Sequence, residues 1–355
     1  MLSLRKAIGI KMNKAVTISD VATQAGVSVS TASKALCGKG RMADETRTRI
    51  IETAVALGYR PNRAAQALSR KPIRVAALVD RGPEEVQSHL VRGLRDSFET
   101  YAAFNADYEI IEFDPEDNSS AAKKYLYDHY ASLDGLIVQC DDVITEEVNR
   151  MNEFVSIPIV SIVSDSEKLR SVSSVVINAE TVGRLAAQFL SMNGAKKTVI
   201  IAGRRDTYIH ERNIAGYREG IASIAKDVSL LGVWYSDDDW KKAYECTKEA
   251  FAQDPDIDGI FVTSYLAPSV CDYLKEKGLE KKVAVIGVDL YDETEKCLRD
   301  GSLNATIYQN QYLQAQSAVD VLMDCLSEGY RILPPVRVKP ELVMLSNLEC
   351  YTHRK

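Results

Sequence analysis

A chain of 355 residues, 46% of them apolar, is long enough for two or three compact units with cores of their own. Its seven cysteines are odd in number and scattered without a CxxC pair, which argues against a disulfide framework or a zinc site and suits a reducing cytoplasm. The net charge of −6 hides an asymmetry: residues 1–71 hold 13 Lys/Arg and 4 Asp/Glu, the remainder 31 and 46, so only the head suits a polyanion.

Residues 1–14 carry Arg5, Lys6, Lys11 and Lys14 but no long apolar core and no cleavage site, so they read as a basic extension rather than a secretory signal. No apolar run anywhere reaches the roughly 18 residues of a membrane span, so no membrane partner is expected. Residues 17–36 (TISDVATQAGVSVSTASKAL) predict two short helices joined by a tight turn. Thr17 caps the first, with Asp20 as its reciprocal partner. Ile18, Val21, Ala22 and Ala25 share a face, and Gly26 supplies the left-handed stop. Ser28 caps the second helix, whose apolar side is Val29, Ala32 and Leu36. Ser30, Thr31, Ser33 and Lys34 point outward, as hydroxyls and a cation suited to phosphates and base edges. This is the pattern of a helix-turn-helix whose second helix reads the major groove. Residues 44–57 predict a third helix with Ile50, Ile51, Ala54 and Leu57 buried, closed by Gly58. The segment YRPNRAAQALSRK (59–71) follows, with Pro61 at a break.

At this point the chain resembles the LacI-type (LacI/GalR) family of bacterial transcriptional regulators, over its whole length. The matching pieces are VTISDVATQAGVSVSTASKAL, the GYRPN that ends the third helix, and AAQALSR, which looks like the family's hinge helix. The resemblance implies DNA contacts at Thr17, Ser28, Val29, Ser30, Thr31, Ser33, Lys34 and Thr46, and in the hinge at Asn62, Arg63, Ala65 and Leu68. In the family the hinge enters the minor groove, where Leu68 would wedge between base steps. It also implies a homodimer reading a pseudo-palindromic double-stranded operator. Lys34 stands where Arg is commoner, and family chains usually begin near Met12.

From Ile73 the pattern changes to near-continuous apolar runs alternating with helices. Strands are expected at 73–80, 108–113, 133–140, 157–163, 198–203, 229–235, 258–263 and 283–289. Helices are expected at 84–104, 119–132, 145–154, 179–193, 211–225, 239–253 and 267–277. Such runs mean parallel sheets covered on both faces, here two in succession, with ligand at the carboxyl ends of the strands. The expected fold is an N-terminal all-α helix-turn-helix headpiece plus an α/β periplasmic-binding-protein-like core of two doubly wound parallel-sheet lobes. The expected divisions are an extension at 1–14, a headpiece at 15–60, a hinge at 61–71 and a core at 72–355. The resemblance adds three crossings between lobes, near Asn178, Thr306 and Pro334. Lobe 1 would then hold about 72–176 and 307–333, and lobe 2 about 177–305 and 335–355.

Polar residues at strand ends are the effector candidates: Asp80, Asp165, Asn178, Arg212, Asp289 and Gln309. Carboxylates and amides pair with sugar hydroxyls, and Arg donates to their oxygens. Capping of helices and turns is the competing role. Asp289 stands at the family's usual acidic position and Gln309 beside a crossing, which favours ligand binding; Asp80 and Asn178 suit either role. The family's pattern is broken at Val163, where an acidic residue is common, and at Ile177, where Asp is usual. It is broken again at Asn213, where the family's Arg would fall and Arg212 lies one residue earlier, and at Ser264, where Asn or Asp is frequent. Tyr208, Trp234 and Tyr265 could stack on a sugar or belong to the core. The four histidines, His89, His129, His210 and His353, read as surface or loop residues. No GxGxxG, P-loop, HExxH or GxSxG occurs, so neither an enzyme nor a cofactor is expected. The resemblance implies a repressor of carbohydrate-utilisation genes controlled by a small polar effector. The alternative is a regulator gated by a phosphocarrier-type partner protein.

Overall fold

A computed structural model of the chain describes residues 16–36, 42–57, 72–82, 84–102, 105–140, 142–164, 168–205, 207–328 and 332–352. The extension at 1–14 and the hinge at 61–71, with Asn62, Arg63, Ala65 and Leu68, lie outside the described residues, as does Asp165. Two compact units are present, Met1–Pro72 and Ile73–Lys355.

The first unit holds α1 (Ile18–Gln24), α2 (Val29–Leu36) and α3 (Asp44–Ala56). Thr17 and Asp20 form the reciprocal capping box, and Gly26 takes φ +65° in the turn. Ser28 Oγ accepts from Thr31 N at 3.1 Å, capping α2. The core is built from small residues: Val21, Ala22, Ala25, Ala32, Ala35, Ile50 and Ala54 are buried. Alanines let three short helices cross closely, and that decides which larger side chains are left outside. Val29 is 46% exposed, so it is not part of the apolar side of α2; Ala35 takes that place. Ile51 is 44% exposed, because it lies about 100° around α3 from the buried Ile50.

The second unit is two lobes. Lobe 1 is built on β1 (Ile73–Asp80), β2 (Ala106–Phe113), β3 (Gly135–Gln139), β4 (Ile159–Val163), β5 (Ser173–Ile177) and β11 (Val336–Val338), in the order β11-β5-β4-β3-β1-β2 and parallel throughout. Its helices are α4 (Glu84–Ala102), α5 (Ser120–His129), α6 (Asp142–Phe154) and α12 (Gln311–Glu328). Lobe 2 is built on β6 (Lys197–Ala202), β7 (Ser229–Tyr235), β8 (Gly259–Val262), β9 (Ala284–Val288), β10 (Ala305–Tyr308) and β12 (Glu341–Val343), in the order β12-β10-β9-β8-β6-β7, with only β12 antiparallel. Its helices are α7 (Ala179–Met192), α8 (Tyr208–Ser223), α9 (Trp240–Gln253), α10 (Ala267–Glu276), α11 (Asp292–Asp300) and α13 (Glu349–Thr352). The inner strands are buried on both faces, as their continuous apolar runs require, whereas the edge strands β2 and β7 are partly exposed.

The strand at 173–177 carries no long apolar run. Ser173 and Ser174 are nevertheless buried, and Ser173 Oγ donates to the Pro334 carbonyl at 3.0 Å, so side-chain bonding rather than hydrophobicity holds this end of β5. The chain leaves lobe 1 at Asn178, returns at 309–310 and leaves again at 339–340. The return falls past Thr306, because Ala305–Tyr308 is a full strand of lobe 2. The last crossing falls past Pro334, because Val336–Val338 pairs with β5 of lobe 1. α7 and α8 pack closely through two glycines. A Cβ on Gly216 would stand 2.1 Å from the Glu180 carbonyl oxygen, and one on Gly183 2.1 Å from that of Asn213.

Candidate functional site

In the first unit the second helix presents one side to solvent. Ser28, Val29, Ser30 and Lys34 are exposed, Thr31 and Ser33 are half-buried, and Ala32 and Ala35 face inward. Thr17 is exposed at the start of α1, and Thr46 is half-buried in the first turn of α3. The α2 surface therefore offers hydroxyls, one methyl-bearing side chain and one cation. That set can donate to phosphates and bases and touch a thymine methyl.

In the second unit the polar groups gather where the strands end. In lobe 1, Asp80 closes β1; its N–H donates to Gln139 Oε1 at 3.1 Å. Gln87 Nε2 donates both to the Asp80 carbonyl and, at 3.0 Å, to Gln139 Oε1. In lobe 2, Asp289 follows β9 with φ +68° and is 6% exposed. Its Oδ1 accepts from Gln309 Nε2 at 2.8 Å and from Gln311 Nε2 at 2.6 Å, while its carbonyl accepts from Thr306 Oγ1 at 2.7 Å. Burial pushes the carboxyl up to about 6, against the opposing pull of the two amides.

Beside it, His210 in the first turn of α8 is buried, with Nδ1 2.9 Å from Thr263 Oγ1. Its Nε2 lies 3.7 Å from Asp238 Oδ1, too long for a hydrogen bond. Burial would raise the Asp238 carboxyl, but His210 and Arg204 together hold it below its ordinary value. Gly203 makes room for the pair: a Cβ there would stand 2.3 Å from both Asp238 Oδ1 and His210 Nε2. Tyr265 Oη donates to the Asp238 carbonyl at 2.8 Å. Its phenol is pushed up to about 12, chiefly by burial and then by Asp238, Asp239 and, from lobe 1, Asp80.

Of the six effector candidates, the structure brings Asp289 and Gln309 into direct contact, while Asp80 stands at the end of β1 in the other lobe. Asn178 instead caps α7, its Oδ1 accepting from Thr181 N at 3.0 Å. Arg212 pairs with Glu180 at 2.8 Å and lies over the Tyr208 ring, where the glycine crossing of α7 and α8 puts it. Trp234 packs into the core of lobe 2, against the same sheet as Gly232. His210, read as a surface or loop residue, is part of the cluster. Its position one turn into α8 and inside the fold carries no mark in the local sequence.

Sequence reasoning also passed over Asp238, Thr263, Gln311 and Trp240. Trp240 is 41% exposed at the start of α9, directly after its cap Asp239. A lone Trp after a helix cap, beyond a strand, was the available signal. Val163, which ends β4, takes φ +66° although it is β-branched, a conformation that Asp or Asn tolerates far better. A cavity of about 590 Å³ adjoins the cluster, between His89, Arg92 and Asp96 of α4 and Tyr291, Asp292 and Tyr308 of lobe 2. Its polar lining includes Asp96, Asp292, Glu295 and Asn310, whereas Asp289, Gln309 and Gln311 do not line it. Among the described residues no group of three or more His, Cys, Asp or Glu could hold a metal ion, and no helix is long and apolar enough to cross a membrane.

Residues 17–62 match the family described as bacterial regulatory proteins, lacI family, and residues 155–329 match the periplasmic binding protein domain. Catabolite control protein A of Priestia megaterium is 27% identical over 280 residues, covering 77% of this chain and 82% of that protein. The HTH-type transcriptional repressor PurR of Histophilus somni is 23% identical over 344 residues, covering 94% and 99%. The crystal structure of an ABC transporter solute-binding protein from Burkholderia graminis, in complex with D-arabinose, aligns with a TM-score of 0.70 at 21% identity, covering 79% of this chain and 98% of that one. At that identity the likeness is one of fold.

Proposed function

The chain belongs to the lacI family of bacterial regulatory proteins and is a DNA-binding transcriptional regulator; from that premise we propose that it is a cytoplasmic repressor of carbohydrate-utilisation genes, governed by an uncharged, polyhydroxylated effector held between its lobes. The DNA side would use Ser28, Val29, Ser30, Thr31, Ser33 and Lys34 in the major groove, with Thr17 and Thr46 on phosphates. Asn62, Arg63, Ala65 and Leu68 would serve in the minor groove, as the family's hinge does. A homodimer would present two such heads to a pseudo-palindrome.

The observation that carries the effector reading is the Asp289 carboxylate with Gln309 and Gln311 on one oxygen, next to His210 and Asp238. Amides and carboxylates on one wall can accept from and donate to vicinal hydroxyls, and the exposed Trp240 can cover an apolar sugar face. Asp80, Asp238, Asp239 and Asp289 act on these groups, against the guanidinium of Arg204. A phosphate would bring a further charge of about −2 to carboxylates and be repelled. The solute-binding protein with D-arabinose shares the fold and supports the sugar class. Effector bound to both lobes would favour one lobe angle over another, and so one of two states of the DNA-binding heads.

Calorimetry of the full chain against neutral pentoses and hexoses, and against their phosphates, tests the reading. Heat is expected from a neutral sugar and none from the phosphates, and the same sugar should change operator affinity in a gel shift. Asp289→Ala should lose that response while still binding operator. A response to phosphorylated sugars alone, or full sugar sensitivity in the Asp289→Ala protein, would overturn it.

A further inference from the structure

The two amides on Asp289 Oδ1 come from different parts of the core. Gln309 Nε2, at 2.8 Å, belongs to the crossing itself, but Gln311 Nε2, at 2.6 Å, belongs to the first residue of α12, a helix of lobe 1. α12 is fixed in its own lobe. Tyr312 Oη donates to Asp96 Oδ2 of α4 at 2.9 Å, and a Cβ on Gly93 of α4 would stand 2.7 Å from the Tyr312 carbonyl oxygen. Asp289 is fixed in lobe 2, its N–H donating to the Ile307 carbonyl at 3.0 Å and its carbonyl accepting from Thr306 Oγ1. The buried Gln311–Asp289 bond therefore ties the lobes together across the crossing. A further amide stands one turn along α12. Gln314 is 1% exposed, and its Nε2 donates to the Gln309 carbonyl at 2.9 Å, which fixes the amide's orientation. Its buried Oε1 has no hydrogen-bond partner among the described residues.

A buried acceptor without a donor is costly, and side chains three apart on a helix are neighbours. We propose that Gln311 is a two-position switch between the lobes: its amide either sits on Asp289 Oδ1, as here, or turns to Gln314 Oε1 when an effector hydroxyl takes its place. The proposal rests on the sugar-binding reading and gives Gln311 a different part in it from Gln309. Vicinal hydroxyls engage a carboxylate through both of its oxygens. Oδ1 offers two lone-pair sites, and amides fill both, so one amide must leave. Gln311 is the one with a waiting acceptor on its own helix. Its departure satisfies Gln314 and frees α12 from lobe 2, so occupancy at Asp289 becomes a change in how the lobes are held. Gln311 is thus a positioning residue, which acts on the effector through Asp289.

The test compares Gln311→Met and Gln314→Met in the full chain, each removing an amide while keeping similar bulk. At 311 the tied state loses a charge-assisted bond and the released state only a neutral one. At 314 the released state alone loses its acceptor, since the bond to the Gln309 carbonyl is common to both states. Calorimetry with the neutral sugar that the unaltered chain binds should show affinity rising about tenfold in Gln311→Met and falling about fivefold in Gln314→Met. If both substitutions weaken binding, Gln311 merely orients hydroxyls, and the switch fails while the sugar reading stands. Operator affinity without sugar reads the same equilibrium and should move in opposite directions in the two variants. If the unaltered chain binds no neutral sugar, the sugar reading fails and operator affinity decides alone: unchanged values, or shifts in the same direction, overturn the switch. Should Gln311→Met fail to fold, Gln311→Asn, polar but one methylene short of Asp289, takes its place with the same expected signs.

Discussion

At the scale of single residues, Asp289 combines a left-handed backbone, full burial and two amide donors on one oxygen. Its folded value of about 6 stands above the ordinary 3.8. Below pH 4 the group is protonated whether the chain is folded or not. Between about 4 and 6 the folded protein keeps a proton that the unfolded chain releases, so the residue's contribution falls as pH rises. Above 6 the buried charge costs about 3 kcal/mol relative to acid. Asp289→Asn keeps the shape and cannot ionise. Thermal melts from pH 4.5 to 7.5 should show the unaltered protein losing several degrees relative to the variant; parallel curves would mean that Asp289 does not titrate in this window. Lys34 is the matching case on the DNA side, exposed at the far end of the reading helix. A Lys ammonium lacks the bidentate fork of Arg, so its base preference is softer. Lys34→Ala should relax preference at particular base pairs by about 1–3 kcal/mol, read by binding to single-substitution operator variants. An equal loss on every sequence would make it a phosphate contact.

At the scale of elements, the crossing of α7 and α8 governs which α8 residues reach the strand ends. Gly183 and Gly216 bring the backbones together, so one turn of α8 puts His210 into the cluster while Arg212 is carried to Glu180. Gly216→Ala would drive a methyl into the Glu180 carbonyl, and backbone cannot swing aside as a long side chain does. A loss of about 3 kcal/mol or more is expected, at the upper end of overpacking costs, with the lobe 2 cluster displaced as well. Urea unfolding followed by the near-ultraviolet signal of the two tryptophans would register it. A melting point and effector response like those of the unaltered chain would show that the helices can slide apart cheaply. In the headpiece, by contrast, closeness comes from alanines at 22, 25, 32 and 35 rather than from glycines inside the helices.

At the scale of the whole molecule, charge divides the labour. The basic first 71 residues and the acidic remainder mean that attraction to DNA is confined to the head and that the body is repelled. If the proposed homodimer makes about six phosphate contacts, raising salt from about 50 to 200 mM should weaken operator binding roughly a thousandfold. A gel-shift or anisotropy titration over that range measures the slope; affinity indifferent to salt would contradict a phosphate-borne footing. The two lobes add a second division. Asp80 ends β1 in lobe 1 and Asp289 follows β9 in lobe 2, so a change of lobe angle alters the separation of these carboxylates and with it the cleft's electrostatics.

Much of this could be read along the chain because the relevant physics is local. The capping box at Thr17 and Asp20, the Gly26 turn and the burial period of α1 need only neighbours within four residues, and all three are present in the structure. The apolar runs that announce buried strands are likewise local, which is why β1 falls at Ile73–Asp80 and β7 at Ser229–Tyr235, the spans expected of them. Asp289 could be singled out because it closes a recognisable strand and stands at the family's usual acidic position, and Gln309 because the resemblance puts a crossing beside it. The rest of the cluster could not, since its members are distant in sequence. His210, Asp238, Thr263 and Asp289 come from four separate strand–helix junctions, and they meet only because parallel strands deliver all their carboxyl ends to one edge. Val29 and Ile51 were misplaced for the same reason. A helix has a periodic apolar face whatever it packs on, but how much of that face is covered depends on the size of the side chains opposite, and here these are alanines.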